Sequence, residues 1–275
     1  MKKLIIGNGK VAKIIRDDDT TILNKAQCDI TKLSDVRGAI HDHRPDIVIN
    51  GAAKTNLEDC EANKEESYAV NTLGPINILR TCAQLGTKFV HISSGCLFDG
   101  NDQIATEESI PDPGVWYTYT KTWADQYMLN YGYENILILR PRQMISAYVH
   151  PGNMLTKFAK LKSIGAIKEP NSITCIEDFS EMVHHLIAVD ATGVFNCCNE
   201  GTSTAYDIAS AVRDYLKPDL EVGEISYAEL LEILPNKRVN TILSNEKLKS
   251  TGYTPRHAED ALKWCVENYG NKILV

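Results

Sequence analysis

Four short apolar runs constrain this chain more than anything else in it: Lys3-Leu-Ile-Ile-Gly7, Asp46-Ile-Val-Ile-Asn50, Lys88-Phe-Val-His-Ile-Ser93 and Ile136-Leu-Ile-Leu-Arg140. Each is hydrophobic at consecutive positions, so the strands they predict need cover on both faces, as parallel sheets flanked by helices provide. The intervening stretches read at helical spacing: Ser34 to His43, and Tyr68 to Leu85, where Val70, Leu73, Ile76, Ile78, Leu79, Cys82 and Leu85 share a stripe. A further strand is expected near Thr20 to Leu23. Strand and helix in alternation predict an α/β fold, a doubly wound parallel sheet of the Rossmann type. With 275 residues, 43% of them hydrophobic, the chain can form one large domain or a domain with an appended lobe.

After Arg140 the rhythm changes, with Pro141, Pro151, Gly152 and Asn153, a helical run from Met154 and a looser segment through Pro170-Asn171. This predicts a dinucleotide-binding domain over 1–146 and a smaller C-terminal substrate lobe over 147–275, with a strand near 193–197 returning to the sheet. Thr204 to Leu216 reads as a helix behind Ser203 as N-cap, and Ala258 to Tyr269 as a closing amphipathic helix.

Twenty-nine Lys and Arg against thirty-six Asp and Glu leave a net charge of -7, with no basic surface for phosphate counterion release. Nucleic acid is not the expected partner. No apolar run reaches the roughly 18 residues of a membrane span, and the start is too short for a signal sequence, so a cytoplasmic protein is expected. Eight cysteines without a CxxC pair read as reduced thiols, and no metal site is expected.

Directly after the first run comes Gly7-Asn8-Gly9-Lys10-Val11-Ala12, small residues where a strand turns into a helix. Backbone amides and a helix N-terminus can there approach a pyrophosphate, which predicts a dinucleotide cofactor. The second strand ends in Asn24-Lys25 with no carboxylate for a ribose 2′-hydroxyl, and Lys10 and Lys25 would tolerate a 2′-phosphate. NADPH is therefore favoured, with NADH admissible. Asp29 and Ile30 are expected at the adenine edge.

Tyr117-Thr-Tyr-Thr-Lys121 is a spacing that twelve tyrosines would produce about once by chance, so its position carries the argument. It opens a helix after the strand ending His91-Ile-Ser93-Ser94, which puts Tyr117 and Lys121 one turn apart beside the edge where α/β sheets bind ligands. Reducing a ketone requires an acid for the developing alkoxide. A phenol of ordinary pKa near 10 serves if a cation lowers it, a role open to Lys121. Ser94 would hydrogen-bond the carbonyl oxygen, and Lys121 would also hold the nicotinamide ribose.

With these residues in view, the chain resembles the extended short-chain dehydrogenases/reductases, close to the dTDP-4-dehydrorhamnose reductases. The blocks that carry this are Pro45 to Ala53, Ala69-Val-Asn-Thr-Leu-Gly74, Ser93-Ser94 running into Phe98-Asp99-Gly100, and Tyr117 with Lys121. The resemblance implies that Gly51, Ala52 and Ala53 lie along the cofactor and Asn71 behind the active site. A narrower resemblance is to bifunctional 3,5-epimerase/4-keto-reductases that make nucleotide-linked L-rhamnose. It is carried by Gly95-Cys96-Leu97-Phe98, Leu139-Arg-Pro-Arg142 with Ile145-Ser146, Pro151 to Lys157, and Pro170 to Thr174. It implies UDP-4-keto-6-deoxyglucose as substrate and UDP-L-rhamnose as product, with Cys96 and Lys157 as the acid/base pair and His150 as a substitute for Lys157.

The chemistry is coherent, because a C4 ketone acidifies the hydrogens on C3 and C5, so one acid/base pair can invert both centres before reduction. Arg142, Asn153 and Asn171 are candidate substrate contacts, while Arg140 could instead end its strand as an ion-pair partner. The sequence departs from plain reductases in Ser94-Gly95, which replaces a Thr-Asp pair, and carries Ala12 where many relatives have glycine. The substrate would come from a separate 4,6-dehydratase, and a homodimer is expected. Two other readings remain: a pure 4-keto-reductase, against which Cys96 speaks, and a regulatory subunit that binds NADP without turnover.

Overall fold

The computed structural model describes residues 1–99 and 104–271; Gly100, quoted above, lies outside them. Six parallel strands form the main sheet: β1 (Lys3–Ile6), β2 (Thr20–Leu23), β3 (Ile47–Asn50), β4 (Lys88–Ile92), β5 (Ile136–Arg140) and β6 (Gly193–Asn196). They lie in the order β2-β1-β3-β4-β5-β6. The chain leaves β1 for one side of the sheet and returns to the other side as β3. That reversal opens a crevice beyond the carboxyl ends of β1 and β3, where such sheets hold ligands.

Consecutive apolar residues prove necessary because alternate ones serve opposite cores. Leu4, Ile6, Val48, Phe89 and Ile138 pack against helices Leu33–His43, Gly74–Leu85 and Trp116–Asn130. Ile5, Ile49, Val90, Leu137 and Leu139 pack against Lys10–Ile15 and Ile176–Ala188. Burying one such Ile or Leu contributes roughly 1.5–3 kcal/mol, and the interior positions of these strands contribute to one core or the other.

The predicted helix Tyr68 to Leu85 is present and begins earlier: Lys64–Tyr68 runs on through a π turn, Ala69–Leu73, into Gly74–Leu85. The wider turn lets Asn71 reach the backbone of Lys54, a long-range bond that helical periodicity does not encode. The N-cap of Ala205–Tyr215 is Thr204 rather than Ser203: its hydroxyl accepts from Asp207 N–H while the Asp207 carboxylate accepts from Thr204 N–H.

The second lobe is built around the parallel pair Ser163–Ala166 and Glu221–Glu224, with helices Met154–Ala159, Ala205–Tyr215 and Ala258–Glu267 enclosing their own core. From the 147–275 stretch, Ile176–Ala188 belongs to the sheet's second face, where Ser180 Oγ donates to Ile14 O at 3.1 Å, and β6 returns to the sheet next to β5. The eight cysteines are all free, and Cys175 and Cys265, 90 residues apart, bring their sulfurs to 3.5 Å. Among the described residues no helix is long and apolar enough to cross a membrane.

Candidate active site

At the first turn Gly7 has φ +108°, and a Cβ there would lie 2.5 Å from Ala52 N. Only glycine lets the turn after β1 close on the turn after β3. A cavity of about 270 Å³ opens beside it, lined by Gly7, Asn8, Gly9, Asp29, Ile30 and Gly51 to Ala53, as expected for the cofactor. Lys25, Lys54, Glu66, Val70 and Cys28 also line it; of these only Lys25 was expected near the cofactor. Small residues, a positive-φ glycine and the exposed ammonium of Lys25, 3.8 Å from Glu66, fit a dinucleotide with a 2′-phosphate. Gly7→Ala should weaken NADPH binding at least about tenfold in a fluorescence titration, since the added methyl forces the two turns apart.

Other expected cofactor contacts lie elsewhere. Lys10 does not line this cavity: its ammonium donates to Gly152 O of the second lobe at 2.8 Å, which removes it as a partner for a 2′-phosphate. Burial and the neighbouring Lys157 lower its pKa to about 8. Val11 packs into the second core. Asn71, fully buried, accepts from Lys54 N at 2.8 Å and donates to Lys54 O at 2.9 Å and Thr120 Oγ1 at 3.2 Å. It thereby pins the loop after β3 to the Tyr117 helix, behind the crevice.

Ser94 caps the short turn Gly95–Leu97, its Oγ accepting from Cys96 N–H at 3.1 Å. Tyr117 lies buried on the first turn of Trp116–Asn130, near Ser94 and Cys96. Burial, and then the Cys96 thiol, push the phenol above its ordinary range; the nearby Ser94 hydroxyl and the Arg142 guanidinium pull the other way. The Arg142 guanidinium, which the motif did not suggest, thus also lies near the phenol. Lys121, buried, donates to Ile92 O at 2.9 Å and lies 3.3 Å from His91 Nε2.

The helix bearing these residues is clamped from below. Asp125 accepts from Ser93 Oγ at 2.6 Å and from Arg140 Nε at 3.0 Å, so Arg140 is the strand-end ion-pair partner. Removing one member of a buried pair like this costs about 3–5 kcal/mol.

Beside the Ser94–Tyr117 corner a second cavity, of about 570 Å³, runs between the sheet edge and the second lobe. Cys96, Arg142 and Asn171 line it, with Met154 and Phe158 on one side and residues 237–240 across from them. Arg142 donates to Cys96 Sγ at 3.2 Å and to Val239 O, while its buried Nε has no partner. Among the described residues no carboxylate pairs with this guanidinium, which leaves it free to meet an anion. Lys157 shares a helix with Met154 and Phe158 but is exposed and does not line the cavity; it sits close enough to depress the Lys10 pKa. His150 donates nothing to the cavity and accepts from Gly152 N–H at 2.9 Å.

Asn153 corrects the expectation of a substrate contact. It is fully buried, caps Met154–Ala159, and its amide donates to Ser146 O at 2.7 Å and Tyr148 O at 2.8 Å. Asn153→Ala should therefore destabilise the fold by about 2–3 kcal/mol, read as a lower urea midpoint, with the Michaelis constant for the sugar unchanged. Asn171 reaches the cavity wall, but its amide is engaged with Gln143, Asn240 and Thr241. Sequence reasoning missed residues 237–240, Gln143 and His91. The last was visible only as a polar interruption in an apolar run.

The family model described as RmlD substrate binding domain matches residues 6–271. The chain belongs to this family. A bifunctional dTDP-4-dehydrorhamnose 3,5-epimerase/dTDP-4-dehydrorhamnose reductase of Arabidopsis thaliana is 28% identical over 77% of this chain and 73% of its own length. The L780 UDP-rhamnose synthase of Acanthamoeba polyphaga mimivirus superposes with a TM-score of 0.86 at 24% identity, covering 98% of this chain and 99% of that one. The dTDP-4-dehydrorhamnose reductase of Bacillus anthracis, solved in complex with NADP, gives 0.87 at 23% identity over 96% and 98%. The RmlD-type fold of these structures is the one described above, and the resemblance drawn from the motifs names the same family.

Proposed function

We propose that this protein is an NADPH-dependent 4-keto-reductase of a nucleotide sugar that also epimerises C3 and C5, taking UDP-4-keto-6-deoxyglucose to UDP-L-rhamnose. The observation that carries the reading is that Cys96 and Arg142 line a cavity large enough for a nucleotide sugar, with buried Ser94 and Tyr117 directly behind Cys96. Family membership and the reductase and synthase names of its relatives support it.

Reduced nicotinamide, when bound, supplies the hydride that ends on C4. Ser94 holds the C4 oxygen by a hydrogen bond, and Tyr117, kept protonated by burial, gives that oxygen its proton. Lys121 lies on the same helix face as Tyr117 and supports the cofactor side. For epimerisation, Cys96 and Lys157 exchange protons at C3 and C5, one removing and one returning, while Ser94 and Tyr117 stabilise the enolate oxygen. Arg142 meets the diphosphate. A separate 4,6-dehydratase supplies the ketone, and the protein acts as a cytoplasmic homodimer.

A pure reductase is the second reading, favoured by one observation: Lys157 stands outside the cavity wall. The test is to supply UDP-4-keto-6-deoxyglucose with NADPH and follow absorbance. The bifunctional reading expects one NADPH consumed per ketone; no fall on this substrate, with a fall on pre-epimerised UDP-4-keto-rhamnose, establishes the second reading instead.

A further inference from the structure

Lys121 is only 1% exposed, and the groups around it form a chain of hydrogen bonds whose direction can be worked out. Ala52 N–H donates to Asn50 Oδ1 at 3.1 Å, and since a backbone N–H can only donate, the amide oxygen must face Ala52. The Asn50 NH2 then faces His91 Nδ1, 3.1 Å away, and donates to it. His91 is wholly buried, and burial followed by the charge of Lys121 pushes its imidazole well below the usual range, so the ring is neutral. With Nδ1 accepting, its single proton sits on Nε2, aimed at Lys121 Nζ 3.3 Å away.

An N–H aimed at an ammonium is unfavourable; aimed at an amine it finds a lone pair, while the amine's own N–H still donates to Ile92 O at 2.9 Å. We propose that Asn50 and His91 are positioning residues that bias Lys121 toward its amine form, tying the proton on this lysine to the backbone of the cofactor turn at Ala52.

The other charged groups near Lys121 do not cancel this bias. On its own helix Asp125 favours the ammonium, but that carboxylate is held by Ser93 from the end of β4 and Arg140 from β5. Tyr117, one turn before, is neutral. Burial outweighs Asp125, and the lysine pKa falls to about 8. The inference rests on the reductase reading only where it bears on turnover: there the ammonium is the active form, so reduction declines as pH rises through about 8.

Two measurements decide it. Nitrogen-15 NMR of the labelled full chain at pH 9, without cofactor, reports the tautomer, with the His91 signals assigned by their loss in His91→Gln. Nε2–H is expected, and Nδ1–H overturns the inference. In Asn50→Asp one carboxylate oxygen still accepts from Ala52 while the other accepts from His91 Nδ1–H, so Nε2 turns to accept from the ammonium. The alkaline limb of ketone reduction should then move up by about one pH unit, leaving roughly tenfold more activity well above the wild-type midpoint. An unmoved limb in a folded variant breaks the link to Lys121. Because the tautomer is read without turnover, a chain that reduces no ketone refutes the reductase reading and leaves this inference to the NMR result.

Discussion

Tyr117→Phe should lower kcat for ketone reduction by about 10²–10⁴-fold, the range for losing a positioned general acid. The phenyl ring keeps its buried position on the first turn of the helix, so far-ultraviolet circular dichroism and NADPH affinity should be unchanged. Arg142 is engaged by Cys96 and Val239, and Lys121 by Ile92 and His91. The Ser94 hydroxyl accepts from Cys96 N–H and keeps its own proton, but an alcohol is a weaker acid than a phenol, so Tyr117 is the proton donor of the corner. Stopped assays on pre-epimerised ketone measure the chemical step alone, and a variant within tenfold of wild type would remove Tyr117 as the acid.

Cys96→Ala should separate the two activities. Epimerised product from UDP-4-keto-6-deoxyglucose should fall by about 10²-fold or more, while reduction of pre-epimerised UDP-4-keto-rhamnose stays within a few-fold. The thiol lines the cavity on a turn fixed by the Ser94 cap and touches Arg142, but the Ser94 hydroxyl and the Tyr117 phenol do not depend on the sulfur for their placement. Equal loss of both activities would mean that the substitution disturbs the shared corner, and Cys96 would then have no separate role in epimerisation.

How far this site could be read beforehand depended on the range of the interactions involved. β5 was legible to the residue because two-sided burial writes itself into consecutive apolar positions. The glycine turn was legible because its φ and the approach of Ala52 exclude every other side chain. The π turn at Ala69–Leu73 was not, since Asn71 is drawn to Lys54 by a side-chain hydrogen bond that leaves the apolar stripe intact. Thr204 could have been preferred to Ser203, because Asp207 stands three residues after it as a capping partner.

The roles of individual polar residues were harder to foresee. Asn153 and Asn171 carry the donors a sugar site needs, yet their backbone and side-chain neighbours, near and far in the chain, already engage those donors. Lys10 and Arg142 find their partners 142 and 46 residues away, distances at which spacing says nothing. The contribution of residues 237–240 to the cavity wall follows from the second lobe folding back over the sheet edge.

The most direct measurement is proton and deuterium NMR of the sugar formed from UDP-4-keto-6-deoxyglucose and ordinary NADPH in D₂O. The account predicts L-rhamno configuration with deuterium at both C3 and C5, where solvent-exchanged acids return protons, and protium at C4. A product that retains the gluco configuration with protium at C3 and C5, or an absence of any C4 alcohol, would contradict it.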